Sequence, residues 1–144
     1  MSDRKYPDSP RVGVGAVVIH SNRVLMVRRG IHPGKGLWAI PGGTMKLGET
    51  LKQTAEREIL EETQVVIEAG DPIHAFDFIE CDDEGHILYH YVVIDLIADY
   101  IRGEPRAADD ALEARWCSWS EIVKMPVSKN TLALLRKIDF DLKR

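Results

Sequence analysis

An α/β domain built on a mixed sheet, with helices on the sheet's faces, is the architecture this sequence predicts. Three observations predict it. Strand-like runs outnumber helical ones, helices both interrupt and follow the strands, and Pro41-Gly42-Gly43 delivers the chain to a helix crowded with glutamates. The chain has 144 residues, 44% of them apolar, which suits one globular domain with a sizeable core and leaves no room for a second. Residues 1–10, MSDRKYPDSP, read as a polar tail and residues 11–144 as the domain.

Residues 12–19 are rich in β-formers, and Ser21-Asn22 offers a turn into residues 24–27, which predicts a hairpin. Residues 37–40 form another short apolar run, closed by Pro41-Gly42-Gly43, which is expected to be a loop. Thr50 and Gln53 have capping-box spacing, so a helix is predicted from Leu51 to Glu62. Residues 65–67 and 73–79 then read as two strands, 81–86 as a turn and 87–98 as a long strand. A polar loop over 102–110 precedes a last strand at 114–118. Ser118 or Ser120 caps a short helix, and Ser128 caps a final one carrying Leu132, Leu135 and Ile138 at helical spacing.

The glutamate helix is the informative element. Residues three or four apart share a helix face, so Glu58, Glu61 and Glu62 are neighbours there. Leu51, Ala55 and Ile59 form the apolar stripe, and Glu62 projects almost along it. Like charges at this spacing cost roughly 0.2–0.5 kcal/mol each even when exposed. The last helical turn also disfavours anions through the macrodipole. A solvated acidic face is the plainer reading of such a run, but it needs neither glutamates at the edge of the stripe nor the glycines before them. The cluster therefore asks for a divalent metal, and oxygen donors with no Cys or His beside them favour Mg²⁺ or Mn²⁺ over Zn²⁺. Arg57 can reach a carboxylate and orient it. Leu60 points nearly opposite the stripe, which implies that another element covers it.

The formal charge of −4 argues against a nucleic-acid backbone as partner, while a small phosphorylated ligand stays compatible. Cys81 and Cys117 have no disulfide or zinc pattern and read as reduced thiols. No stretch has the length of a membrane span, and the polar start has no apolar signal core, so a cytoplasmic location is expected.

The spacing Gly43, five residues, Glu49, seven residues, Arg57-Glu58-Ile59, one residue, Glu61-Glu62, one residue, Gln64-Val65 resembles the Nudix box. The preceding Leu37-Trp38-Ala39-Ile40-Pro41-Gly42-Gly43 is similar to that family as well. One position departs from the pattern: Gln64 stands where the family usually has glycine. That is a helix-terminating position favouring left-handed backbone, which a non-glycine residue adopts at a cost of roughly 1 kcal/mol.

The resemblance implies a Nudix α/β/α sandwich that hydrolyses a nucleoside diphosphate linked to another moiety. It implies cation binding by Glu58, Glu61 and Glu62 with the Gly42 carbonyl, and Glu49 and Arg57 orienting those carboxylates. The family often draws one more acidic residue from a late loop. Glu104, Asp109, Asp110 and Glu113 are available there, and Asp109 or Asp110 is preferred as general base. On the substrate side Arg28 and Arg29 could bind a phosphate or ribose, Trp38 and Phe76 could stack on a base, and His90 and Tyr91 alternate so that one lines a cleft. ADP-ribose-like nucleotides stand slightly ahead of (d)NTPs as substrates. A non-catalytic nucleotide-sensing or partner-binding module would predict eroded carboxylates, and these are intact. Family members often form homodimers, which sets the expectation for assembly.

Overall fold

The computed structural model describes residues 4–142. Its strands are β1 (Arg11–His20), β2 (Arg23–Arg29), β3 (Trp38–Ala39), β4 (Gly42–Thr44), β5 (Val66–Cys81), β6 (Ile87–Arg102) and β7 (Ala111–Cys117). The helices are α1 (Leu51–Thr63), α2 (Trp119–Ile122) and α3 (Lys129–Lys137), with a 3-10 turn at Phe140–Leu142. The main path of the sheet runs β3-β2-β1-β6-β5, with β4 paired to β1 and β7 to β2. Because β1 and β6 are parallel and the other pairs antiparallel, the sheet is mixed, as the sequence predicts.

Strand periodicity builds the sandwich. Val14, Ala16 and Val18 of β1 face one way and pack with Leu25, Leu96 and the Ala55 and Ile59 stripe of α1. Val17 faces the other way, with Val24 and Met26, against Leu134, Leu135, Ile122 and Phe140. One helix therefore covers one face, and α2 with α3 cover the opposite one. Among the described residues no helix is long and apolar enough to cross a membrane. Both cysteines are free thiols, Cys117 buried and Cys81 exposed.

Several boundaries differ from the sequence reading. The two strands expected at 65–67 and 73–79 are one strand, with register shifts on either side of Pro72. On this edge strand the missing N–H of proline leaves no ladder bond unmade, so the strand bulges instead of ending. Gly42 and Gly43 are not in a loop: with Thr44 they pair with Gly13, Val14 and Gly15. Helix α1 runs one residue further than expected, and Gln64 closes it at φ 63°. The Thr50–Gln53 capping box is present in both directions, at 2.9 and 3.1 Å. Leu60 is 48% exposed, so no described element covers it. On α3 the fully buried positions are Leu134 and Leu135, while Leu132 and Ile138 flank them partly buried. Ser118, not Ser120, caps α2, and Ser128 caps α3.

Candidate active site

Arg57 is the hub of the acidic helix. Its guanidinium donates from Nε and Nη2 to the two oxygens of Glu49 at 2.6 and 2.8 Å, a bidentate pair. Nη1 donates to Glu58 at 2.7 Å and Glu61 at 3.2 Å, and Nη2 also reaches the Thr44 carbonyl at 3.1 Å. One cation thus holds three carboxylates and ties α1 to β4. The Arg57 guanidinium, helped by the Lys46 N–H and the Thr54 hydroxyl, holds the Glu49 carboxyl down at about 2. Glu58 moves the other way: burial outweighs Arg57 and raises its pKa. Glycine at 43 is required by this packing, since a Cβ there would collide with the Glu58 carboxylate.

Glu62 has no such partner. Burial pushes its carboxyl up to about 8, with a long 3.5 Å contact from the Gly42 N–H as its one hydrogen bond among the described residues and the charge of Arg29 as modest relief.

The loop at residues 103–110 completes the cluster. Donation from the Arg106 N–H to the Thr63 carbonyl (2.9 Å) and from the Ala108 N–H to the Glu62 carbonyl (3.0 Å) clamps it to the open end of α1. This puts Asp109, itself left-handed at φ 55°, beside the helix. One oxygen each from Glu58, Glu61 and Asp109 lies within 4.8 Å of the others. Of the two aspartates preferred from sequence, Asp109 joins the carboxylates, whereas Asp110 turns to Arg4 at 3.7 Å. Glu113 pairs with Arg28, and neither it nor Glu104 is among the carboxylates grouped with Glu58.

A cleft of about 460 Å³ opens beside these residues. Its floor is one face of the sheet: Gly13 and Gly15 of β1, Phe76 and Phe78 of β5, and Tyr91, Val93 and Asp95 of β6. Residues 128–131 at the start of α3 border it, as do Arg29 and Arg4. Glu62, Gly42 and Gly43 line it too, which sets the cleft beside the cluster, although the Glu62 carboxylate is not one of the oxygens grouped with Glu58, Glu61 and Asp109.

The remaining sequence candidates divide. Arg29 lines the cleft, donates from Nε to the Pro33 carbonyl at 2.6 Å, and has its pKa lowered mainly by burial. Arg28, on the other strand face, donates to the Gly36 carbonyl and to Glu113 and does not line the cleft. Phe76 lines the floor. Trp38 does not: it is 4% exposed in the core, its ring covered by the Arg115 guanidinium at 4.9 Å. Of His90 and Tyr91, Tyr91 faces the cleft. Asp95, Phe78 and Arg4 escaped the sequence reading. The first two could have been found by alternation from Tyr91 and Phe76 along their strands, while Arg4 lies in a tail with no pattern.

A glycine strand leading to a glutamate helix, shared between an oxygen-donor cluster and a cleft, is the arrangement carried by one fold family. The chain belongs to the Nudix hydrolase family: a model of the NUDIX domain matches residues 9–137. It is 33% identical over 81% of its length to an ADP-ribose pyrophosphatase of Methanocaldococcus jannaschii, and spans 66% of that protein, just under two thirds. It is 34% identical over 78% of its length to an oxidized purine nucleoside triphosphate hydrolase of Danio rerio, covering 67% of it. Among solved structures, a MutT NUDIX hydrolase from Burkholderia pseudomallei matches 91% of the chain and 99% of its own at a TM-score of 0.78 and 27% identity. The NUDIX domain of Shewanella oneidensis NrtR, complexed with ADP ribose, matches 98% of the chain and 94% of its own at 0.72 and 25%.

Proposed function

We propose that this chain hydrolyses the phosphoanhydride bond of a nucleoside diphosphate linked to another moiety, with Mg²⁺ or Mn²⁺, ADP-ribose-like nucleotides being the preferred substrates. The observation that carries the reading is adjacency: the cleft is lined by Glu62, Gly42 and Gly43, and Glu62 follows directly on Glu61 of the carboxylate group. The ADP-ribose preference draws support from the archaeal relative's name and from the ligand of the Shewanella domain.

Glu58, Glu61 and Glu62, with the Gly42 carbonyl, are the candidate metal ligands. Their oxygen-only donors suit a hard cation, and burial raises the carboxyls of Glu58 and Glu62. When bound, the cation neutralises phosphate charge and activates water. Hydrolysis joins a water oxygen to phosphorus, releases the bridging oxygen on the other phosphate, and passes the water's proton to a base. Asp109 fits that last task, since it is exposed, adjoins Glu58 and Glu61, and has no ion-pair partner among the described residues. Arg57 keeps the ligating carboxylates oriented, and Arg29 offers a cation to a substrate phosphate.

The test is a panel of ADP-ribose, dinucleotides, dNTPs and NTPs with Mg²⁺ and identification of the phosphate products. Cleavage of ADP-ribose to AMP and ribose 5-phosphate, abolished by chelator, is the expected result. Persistence of activity in excess chelator would point to different chemistry. If Asp109→Asn leaves the pH–rate profile unchanged, the base is another residue. A (d)NTP pyrophosphohydrolase is the second reading, motivated by the Danio rerio relative, and release of pyrophosphate from NTPs on the same panel selects it.

A further inference from the structure

The cleft floor contains a group that hydrolysis does not use. Asp95 is 4% exposed and lines the cleft, yet no described residue gives it a hydrogen bond or an ion pair. Its Oδ1 lies 2.6 Å from where a Cβ on Gly15 would stand, so the glycine makes the room that the carboxylate fills. Burial alone raises its pKa, to about 6. On the same face the next residue of β6 is Val93, paired with Phe76, both apolar, while His74 stands opposite Asp95 on β5. Of the cations that line the cleft and would attract phosphate, Arg29, Arg4 and Lys129, Arg29 feels the charges of Glu62 and Tyr91, and none pairs with Asp95 among the described residues. A carboxylate repels phosphate and takes a donor-bearing part of a nucleotide, and the aromatic floor at Phe76 suits the base rather than the ribose.

We infer that Asp95 is a specificity residue that accepts a hydrogen bond from the exocyclic amino group of the substrate's nucleobase while the base lies on Phe76. This deepens the nucleotide reading of the cleft and rests on it. The chemistry selects a 6-amino purine over its 6-oxo counterpart, whose carbonyl oxygen would face the carboxylate.

The test compares ADP-ribose with its inosine counterpart, differing by amino and oxo at that position. Wild type is expected to favour the amino compound at least tenfold in kcat/KM. In Asp95→Asn, whose amide can donate to the oxo group, the ratio should fall toward one. Calorimetric binding of AMP and IMP to the metal-free protein should show the same preference and the same loss. Equal kcat/KM for the two substrates on wild type, or an undiminished ratio in a folded Asp95→Asn, would overturn the inference. If wild type cleaves no nucleotide in the panel, the hydrolase reading fails, while preferential AMP binding lost in Asp95→Asn would still uphold the role of Asp95.

Discussion

The two acidic regions of this molecule handle buried charge in opposite ways. On α1, Glu49, Glu58 and Glu61 share the guanidinium of Arg57, and the bidentate bond to Glu49 fixes the arrangement. On the cleft floor the Asp95 carboxylate has no partner among the described residues, and beside the cluster the Glu62 carboxylate has little more than the Gly42 N–H. Paired carboxylates are held in place before any ligand arrives. Unpaired ones keep their demand for a positive or donating group, and they are the groups that face the cleft. The contrast separates residues that keep the site in shape from residues that wait for a ligand.

The comparison breaks most sharply at Glu61 and Glu62. Replacing either by Gln is expected to lower turnover by two orders of magnitude or more while circular dichroism stays native, since one ligand oxygen is lost and the fold is not. Wild-type rates would remove both from the metal site. Arg57→Ala tests the paired side. It leaves Glu49, Glu58 and Glu61 without their cation and should destabilise the protein by about 2–4 kcal/mol in urea unfolding. Loss below 0.5 kcal/mol would mean that the network is ornamental.

A pH titration probes the unpaired side. The Glu62 carboxyl is held near 8 in the folded chain against an ordinary 4.5, so between those values the folded state keeps a proton that the unfolded state has released. Stability in chelator should therefore fall as pH rises from about 5 to 8, with Asp95 adding to the decline at its lower end. Glu62→Gln should flatten the slope, and Mg²⁺ should restore the melting temperature most at the alkaline end. An unchanged slope in Glu62→Gln would place the proton elsewhere. The smallest effect belongs to Gln64, whose left-handed backbone glycine would adopt freely. Gln64→Gly should add up to about 1 kcal/mol without altering turnover, and destabilisation would show that the Gln64 side chain contributes more than its backbone costs.

The paired region was legible in the sequence because it is local: a cap, a helical period and a glycine approach lie within one short segment. The Thr50 cap, the Arg57 contacts and the left-handed Gln64 could all be read from neighbours along the chain. The cleft was hardly legible, because strands far apart in sequence build it. Phe76 and Tyr91 come together through β5 pairing with β6, and the bulge at Pro72 that sets this register is invisible to a period-two reading. Trp38 misled for a related reason. An aromatic on a two-residue strand gives no alternation to tell a core face from a cleft face, and here it faces the core. Arg28 and Arg29 are adjacent, so at most one could enter the cleft, and Arg29 does.

The clamp on the loop at residues 103–110 bears on how such a chain can vary over time. Main-chain N–H groups of Arg106 and Ala108 hold it to the carbonyls of Thr63 and Glu62, and no side chain of the loop makes those bonds. Point changes at Glu104, Ala107 or Ala108 can therefore drift with little effect on where Asp109 stands. Removing or inserting a single residue between Gly103 and Asp109 would shift the register of the clamp and carry the aspartate away from Glu58 and Glu61. Because the clamp is made by the main chain, the position of Asp109 depends on the length of this segment more than on its spelling.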